Sequence, residues 1–433
     1  MRYMEIRGSG PLNGTIKIPG SKNSSLALLA AACLSDEAVT LSGVPFIYDV
    51  QAIGAIMKGI GFDLQRMDDG EVVVSGEHKP SGDLDIDLTS SYRASYYFVG
   101  ALLAKCKRVT IGYPGGDDFV SRPIDQHMKV FEAMGAKVEL YERHYVVSAE
   151  RLVGADIYFD VITSGATMNA LMLAALADGT TMLRGAATDP EVVDTANLLI
   201  QMGARIRGAG TSEIRIEGVP SLHGCSYSVI PDRLIAGSYL AAAAATRGKV
   251  TLEGVIVEHM SAVLRKLEEA GLEPIVRDQT ITLDGDVPLK AVRVRTAMYP
   301  GFATDMQQPF SAMLLRANGR SIITEKVYPK RFSHIDQLRR MGAQIEMRGT
   351  SAFIQGGIPL HGDWVHATDI RAGVCLLIAG LMTDGITRLT GIEHLERGYE
   401  DIITSFKQLG AQIAWKEIGN LDYENTIRAG LSF

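Results

Sequence analysis

Met202-Gly-Ala-Arg-Ile206 decides the fold, because the chain carries six versions of it. The others are Ile60-Gly-Phe-Asp-Leu64, Met134-Gly-Ala-Lys-Val138, Ala270-Gly-Leu-Glu-Pro274, Met341-Gly-Ala-Gln-Ile345 and Leu409-Gly-Ala-Gln-Ile413. In each, an apolar helix end runs into a glycine at the position where a helix C-terminus takes a left-handed residue. Alternating apolar residues follow, as in Glu213-Ile-Arg-Ile-Glu217, and predict half-buried strands. The period is roughly 70 residues, too long for a solenoid unit.

Working outward, a second phrase precedes each copy: an Ala/Leu-rich helix, a short turn and a strand. Ser25–Cys33 with Ala38–Gly43 is one example, and Ala166–Ala175 with Thr180–Gly185 another. The remaining copies begin near Arg93, Asp232, Asp305 and Asp369. These helices are apolar nearly all round, which predicts burial inside a domain. The second helix of each unit, such as Ser261–Ala270, is amphipathic and is expected to be more exposed. Six units are too many for one core, so three per domain is expected. The crossings fall near Gly20 and Ile230, giving one domain over 21–230 and a second from 1–20 plus 231–433. The strands at Tyr3–Arg7 and Gly14–Pro19 are left over at the N-terminus and are assigned to the second domain. The sixth unit shows no closing strand after Trp415, and the tail Asn420–Phe433 is not placed. Two crossings between two domains suggest a hinge and a closing cleft that holds the active site.

The composition fits this size. The chain has 433 residues, nearly half of them apolar, and a net charge of -7. That balance argues against nucleic acid as a general partner. No apolar run reaches the length of a membrane span, and Met1–Arg7 lacks the apolar core of a signal peptide. Cys33, Cys106, Cys225 and Cys375 are far apart, as expected of reduced thiols in a cytoplasmic protein. No zinc spacing, Walker loop or dinucleotide glycine motif is present.

The polar residues that break the repeat sit at the starts of the buried helices: Ser21-Lys22-Asn23, Arg93, Thr163-Ser164-Gly165, Asp232-Arg233, Thr304-Asp305, and Thr368-Asp369 with Arg371. Ser, Thr, Asp and Asn there are ordinary N-caps. Lys22, Arg93, Arg233 and Arg371 are not, since a cation opposes the helix dipole. A bound anion would reverse that penalty. Arg122, Arg331 and Arg397 add loop cations of the kind that fork onto carboxylate or phosphate. The loop Tyr113–His127 joins Gly115-Gly116, Asp117 and Asp118 to Arg122, Pro123, Ile124, Asp125, Gln126 and His127. So dense a mixture of acid, base and turn residues suits chemistry better than packing. The ligand expected is strongly anionic and brings its own phosphates.

Taken together, Gly20-Ser-Lys-Asn23, Tyr92-Arg-Ala-Ser95, Gly115 to His127, Ser164-Gly-Ala-Thr167, Pro231-Asp-Arg233, Thr304-Asp-Met-Gln307, Lys330-Arg-Phe332, Asp369-Ile-Arg-Ala372 and Arg397-Gly-Tyr399 resemble the enolpyruvyl transferase family over nearly the whole chain. The resemblance implies an α/β fold of two inside-out α/β barrels around a cleft. It also implies transfer of enolpyruvyl from phosphoenolpyruvate to the 3-hydroxyl of UDP-N-acetylglucosamine, with release of phosphate and no metal or organic cofactor. That reaction opens peptidoglycan synthesis, with the cell-wall, cell-shape and cell-division roles that go with it.

By the same resemblance, Lys22, Arg122 and Arg397 hold the phosphoenolpyruvate phosphate. Arg331 and Arg371 lie near its carboxylate, and Arg93 adds positive charge. Asn23 and Asp305 contact the sugar, and Asp305 takes the hydroxyl proton or steers it late. Arg122 to His127 line the uridine and diphosphate, with Ser164 and Gly165 on the phosphates; Asp232, Arg233, Val327 and Asp369 complete the substrate-binding set. Asp117 stands where many members carry a cysteine and is the expected proton donor, working if closure desolvates it. Tyr48 and Val161 stand where a lysine is common or found in some members, and Gln126 replaces a common apolar residue. Two alternatives stay open on these residues: an enolpyruvyl transferase for another nucleotide or nucleotide sugar, and a non-catalytic UDP-sugar binder.

Overall fold

The computed structural model describes residues 2–76, 79–116 and 122–417. They fall into two compact units, Met1–Ile18 with Asp232–Phe433 as the first and Pro19–Pro231 as the second. Each unit buries three helices inside a ring of three small sheets, which is an α/β barrel turned inside out.

The core helices are α1 (Lys22–Ala32), α2 (Tyr97–Cys106) and α3 (Ser164–Ala175) in the second unit. In the first unit they are α4 (Arg233–Ala245), α5 (Thr304–Leu314) and α6 (Ile370–Leu381). Every residue of α6, and every residue of α3 after Ser164, is buried, which is why these sequences lack a polar face. In the first unit α4, α5 and α6 pack against one another pairwise. In the second, α2 packs on α1 and α3, while the helix Pro190–Gln201 also packs on both α1 and α3. That helix is more enclosed than expected of a second helix: Glu191, Asp194 and Thr195 are buried along with Val192, Ala196, Leu198 and Leu199, while Ile200 stays exposed. Asp194 is enclosed because it accepts hydrogen bonds from Ser24 Oγ of α1, from Tyr227 Oη at 2.6 Å and from Ile230 N at 3.4 Å.

The repeat is a leading strand, a core helix, a parallel returning strand, a peripheral helix and an antiparallel hairpin. Arg293–Arg295, α5, Arg320–Thr324, the helix His334–Arg340, and the pair Gln344–Arg348 and Ser351–Gln355 show it complete. The six glycines of the repeat all have positive φ, from 91° at Gly271 to 103° at Gly203. Each ends a helix whose last turn could not otherwise reverse into a strand.

The N-terminal strands complete two sheets of the first unit. β1 (Arg2–Arg7) lies between Ile386–Thr390 and Gln412–Glu417, antiparallel to both. It takes the place in this sheet that a closing hairpin strand of the sixth repeat would fill. β2 (Asn13–Lys17) runs parallel to Lys249–Glu253 and serves as leading strand of the fourth repeat, although α1 follows it in sequence. Reciprocally, Ser226–Ser228 precedes α4 in sequence but pairs in parallel with Val39–Ser42 of the second unit. In the second repeat the leading strand shrinks to one bridge, Asp83 to Thr110. The expected bounds shift slightly: Pro19, Gly20 and Pro231, assigned from sequence to the domain of 1–20 and 231–433, belong to the unit that holds 21–230, where Gly20 bridges Pro231 and Ser21 N donates to Ile230 O at 2.7 Å. The tail expected over 420–433 lies outside the described residues.

At Gly410 a Cβ would meet nothing within 4 Å, so only the φ of +96° resists a side chain. Gly410→Ala is expected to lower stability by about 1 kcal/mol and Gly410→Asn by less, read from urea unfolding midpoints.

Candidate active site

In the second unit, Ser21 caps α1 by accepting from Ser24 N at 3.3 Å, and Lys22 begins the helix. Lys22 is only 9% exposed, and its Nζ lies 2.7 Å from Asp49 Oδ2. Asp49 sits in the first turn of Tyr48–Gly59, where a carboxylate also suits the helix dipole. Asn23 is exposed beside Lys22. Tyr48 is exposed as well, and its ring lies 6.2 Å from that of Tyr92.

Arg93 begins a single 3-10 turn, Arg93–Tyr96, that leads into α2. Its Nη2 donates to Arg122 O at 2.8 Å, and its guanidinium lies over the Tyr96 ring at 5.4 Å. The two glycines of the loop are required by contact. A Cβ on Gly115 would stand 1.8 Å from Ser90 O, and Gly116 has φ +97° against Arg93 and the Arg122 guanidinium. The expected proton donor Asp117, with 118–121, lies outside the described residues.

Pro123 and Ile124 lead into the helix Asp125–Ala133, whose first residues are Asp125, Gln126 and His127. His127 is buried against the Tyr96 ring at 4.6 Å. Asn169 of α3 accepts from Gly100 N at 2.8 Å through Oδ1, so its Nδ2 donates to His127 Nδ1 at 3.1 Å. His127 therefore carries its ring proton on Nε2. Burial, with Arg93 adding to it, pushes its pKa down to about 3. At the start of α3, Ser164 Oγ donates to Asp189 Oδ2 at 2.9 Å. Gly165 lies so close to Tyr96 that a Cβ would come within 2.6 Å of its hydroxyl.

The first unit gathers a denser cluster. Ala303 precedes α5, so Thr304 and Asp305 are its first two residues and Asp305 is not spent on capping. Arg331 Nη1 donates to Asp305 Oδ1 at 2.5 Å, and Arg371 Nε to Asp305 Oδ2 at 3.3 Å. Arg331 and Arg371 are 4% and 6% exposed, whereas the Asp305 side chain keeps 27%. Burial opposes ionisation of Asp305, but the two guanidiniums outweigh it and hold the carboxyl well below the usual range. Burial likewise disfavours the charge on Arg371, and Asp305, Tyr399 and Asp232 more than restore it.

Asp369 caps α6 by accepting from Arg371 N at 2.9 Å and Ala372 N at 3.1 Å, and it lies 3.9 Å from Arg331. Asp232 caps α4 in the same way, and the guanidinium of Arg233 lies over the Tyr299 ring at 5.4 Å. Val327 is part of a turn organised by the fully buried Glu325. That carboxylate accepts from Val327 N, Tyr328 N, Thr296 Oγ1 and Thr304 Oγ1 at 2.6 to 2.9 Å. Arg397 ends the short helix Glu393–Glu396 and is half-buried.

The structure thus joins Asp305, Arg331, Asp369 and Arg371 into one ion-pair cluster, and Arg93 with Arg122 into another group. Sequence reading missed Asp49 and Glu325. Neither lies on the repeat phrase or at a core-helix start, and only an observed cation or turn identifies its task. Among the described residues no group of three His, Cys, Asp or Glu could hold a metal, and no helix is long and apolar enough to cross a membrane.

Two barrels of this topology, with cations at core-helix starts, define an enolpyruvyl transferase. The chain belongs to the EPSP synthase (3-phosphoshikimate 1-carboxyvinyltransferase) family, whose sequence model it matches over residues 6–406. It is 47% identical over 417 residues to UDP-N-acetylglucosamine 1-carboxyvinyltransferase 2 of Bacillus anthracis, covering 96% of this chain and 97% of the relative. The Bacillus subtilis (strain 168) protein of the same name is 46% identical over 418 residues, with the same coverage. Among solved structures, the enolpyruvyl transferase NikO from Streptomyces tendae superposes with a TM-score of 0.88 at 26% identity, covering 96% of this chain and 99% of that one. EPSP synthase from Acinetobacter baumannii gives 0.74 at 19% identity, with coverage of 96% and 100%, a likeness of fold alone.

His334 has a testable consequence for stability. Ser311 Oγ donates to Gln307 O and so accepts from His334 Nε2 at 3.2 Å, and burial pushes this histidine down to about 3. A histidine depressed on folding stabilises fully above its unfolded pKa of about 6.5 and loses that contribution as pH falls toward 3. Wild type is expected to lose about 2 kcal/mol more than His334→Gln between pH 6.5 and pH 5, measured by urea unfolding across that range.

Proposed function

We propose that the protein transfers the enolpyruvyl group of phosphoenolpyruvate to the 3-hydroxyl of UDP-N-acetylglucosamine and releases phosphate, the step that opens peptidoglycan synthesis in the cytoplasm. The observation that carries this reading is Asp305 held between Arg331 and Arg371 at the start of α5. A carboxylate kept ionised beside buried guanidiniums provides an acceptor for a sugar hydroxyl and forks for a substrate carboxylate in one place. The bacterial relatives named UDP-N-acetylglucosamine 1-carboxyvinyltransferase 2, at 46 and 47% identity, supply the acceptor.

In this reading the sugar hydroxyl oxygen bonds to C2 of phosphoenolpyruvate while C3 takes a proton from Asp117. The hydroxyl proton passes toward Asp305. Loss of phosphate, with return of a proton from C3, restores the double bond. Lys22, Arg122 and Arg397 receive the phosphate, and Arg331 and Arg371 the substrate carboxylate. Arg93 raises the local positive potential. Asn23 contacts the sugar; the segment Arg122 to His127, with Ser164 and Gly165, binds the nucleotide, and Asp232, Arg233, Val327 and Asp369 shape the acceptor side. Preorganised cations of this kind stabilise charge as the phosphate departs. No metal or organic cofactor enters any step.

Incubation with phosphoenolpyruvate and UDP-N-acetylglucosamine is expected to yield inorganic phosphate and an enolpyruvyl ether of the nucleotide sugar, identified by mass analysis. Absence of that product, with turnover of another nucleotide, would overturn the acceptor assignment. Asp305→Asn is expected to lower kcat about 100-fold or more with a small change in either KM. With a carboxyl at position 117, the enzyme is expected to resist thiol-alkylating epoxides such as fosfomycin. Asp117→Cys should acquire sensitivity, and Asp117→Asn should lose turnover.

A further inference from the structure

Gln126 was expected among the substrate-binding residues, but its side chain is turned to the protein. It is 7% exposed. Its Oε1 accepts from Asp160 N at 3.0 Å, and its Nε2 donates to Asp125 Oδ2 at 2.7 Å. An N–H on one side and a carboxylate on the other fix which way the amide faces. Asp160 lies in the segment between the strand Asp156–Tyr158 and α3, just before Ser164 and Gly165. The contact therefore ties the start of the helix Asp125–Ala133 to the segment that leads into α3. A second tie, Lys129 Nζ to Asp160 Oδ2 at 2.7 Å, is solvent-exposed and correspondingly weak. The Gln126 contact satisfies a backbone N–H that no apolar side chain could satisfy.

We propose that Gln126 is a positioning residue that sets the spacing of the two nucleotide-binding segments, 122–127 and 164–165, rather than a contact to the nucleotide. This inference rests on the enolpyruvyl-transfer reading only in taking those segments as the nucleotide site. The charges facing position 126 are Asp125 and Lys129 on its own helix and Asp160 across from it. Helix α3 carries no charge, Asp156 on the adjoining strand is held by Arg184, and Lys137 pairs with Glu139 on the strand that follows the helix. His127 is neutral.

The test measures UDP binding by calorimetry, together with both KM values, for wild type, Gln126→Leu and Gln126→Glu. Gln126→Leu is expected to weaken UDP about tenfold and to raise the KM for UDP-N-acetylglucosamine by the same factor. The KM for phosphoenolpyruvate should stay unchanged, and far-ultraviolet circular dichroism should show each variant folded at the assay temperature. Gln126→Glu should be as weak as Gln126→Leu at pH 8, where a third carboxylate faces Asp125 and Asp160. It should recover toward wild type as pH falls to 5.5, because a protonated carboxyl repeats the donor and acceptor pattern of the amide. UDP affinity unchanged in Gln126→Leu, or a loss in Gln126→Glu that ignores pH, would overturn the proposal. A wild type that binds no UDP would overturn the nucleotide reading itself, and this inference with it.

Discussion

A helix buried around its whole circumference can meet polar partners only at its ends, and six such helices form the cores of this protein. That constraint places the chemistry. Side chains along α6 or α3 have no freedom to carry charge, so Lys22, Asp305 and Arg371 stand in the first turn of their helices. There the backbone offers unsatisfied N–H groups and a positive dipole end. The cap residues Ser21, Asp232 and Asp369 answer the N–H groups. The cations are what the dipole argument leaves unexplained.

Their explanation differs from the simplest sequence argument. A bound anion was expected to relieve the cations, yet the protein already supplies carboxylates. Asp49 faces Lys22, and Asp305 faces both Arg331 and Arg371 with Asp369 close by. Removing one partner from a buried pair costs far more than the pair contributes, because the other charge stays enclosed. Each of these groups is thus balanced within its own unit. A carboxylate or phosphate brought to Arg331 and Arg371 would find guanidiniums already held in orientation and would compete with Asp305 for them. Such a balance gives orientation at the cost of raw attraction.

The repeat was legible because its signal sits within single residues. Six glycines with positive φ recur at one period, and no other residue type serves as well there. The core helices were legible through their missing polar face. The N-terminal strands were legible as leftovers belonging with 231–433, but their places in the sheets were not: only pairing register sets β2 parallel to Lys249–Glu253 and Ser226–Ser228 parallel to Val39–Ser42. Register between distant strands leaves little mark on a three- or five-residue stretch. The buried carboxylates Asp49, Glu325 and Asp194 were illegible for a related reason. An acid in a helix or turn looks solvated until the cation, hydroxyl or N–H it faces is known. Gln126 looked like a ligand contact because the family resemblance assigns that role to its loop; its own partners turn it inward.

The Asp305 pairing also bears on which of two roles that residue can fill. A carboxylate held well below the usual range by two guanidiniums is a strong hydrogen-bond acceptor and a weak base. Full abstraction of a sugar hydroxyl proton in an early step would run uphill by many powers of ten, because the driving force for proton transfer falls with the pKa of the base. Orienting the hydroxyl lone pair, and receiving the proton only as the oxygen becomes cationic on bonding to carbon, demands no such basicity. Pro309 reinforces that placement, since it has no N–H to give to the carbonyl of Asp305 four residues back and so loosens the first turn of α5. For the proposed reaction, this charge balance favours steering over abstraction. It would tie the timing of proton transfer to the grip of Arg331 and Arg371, to which that proposal assigns the substrate carboxylate.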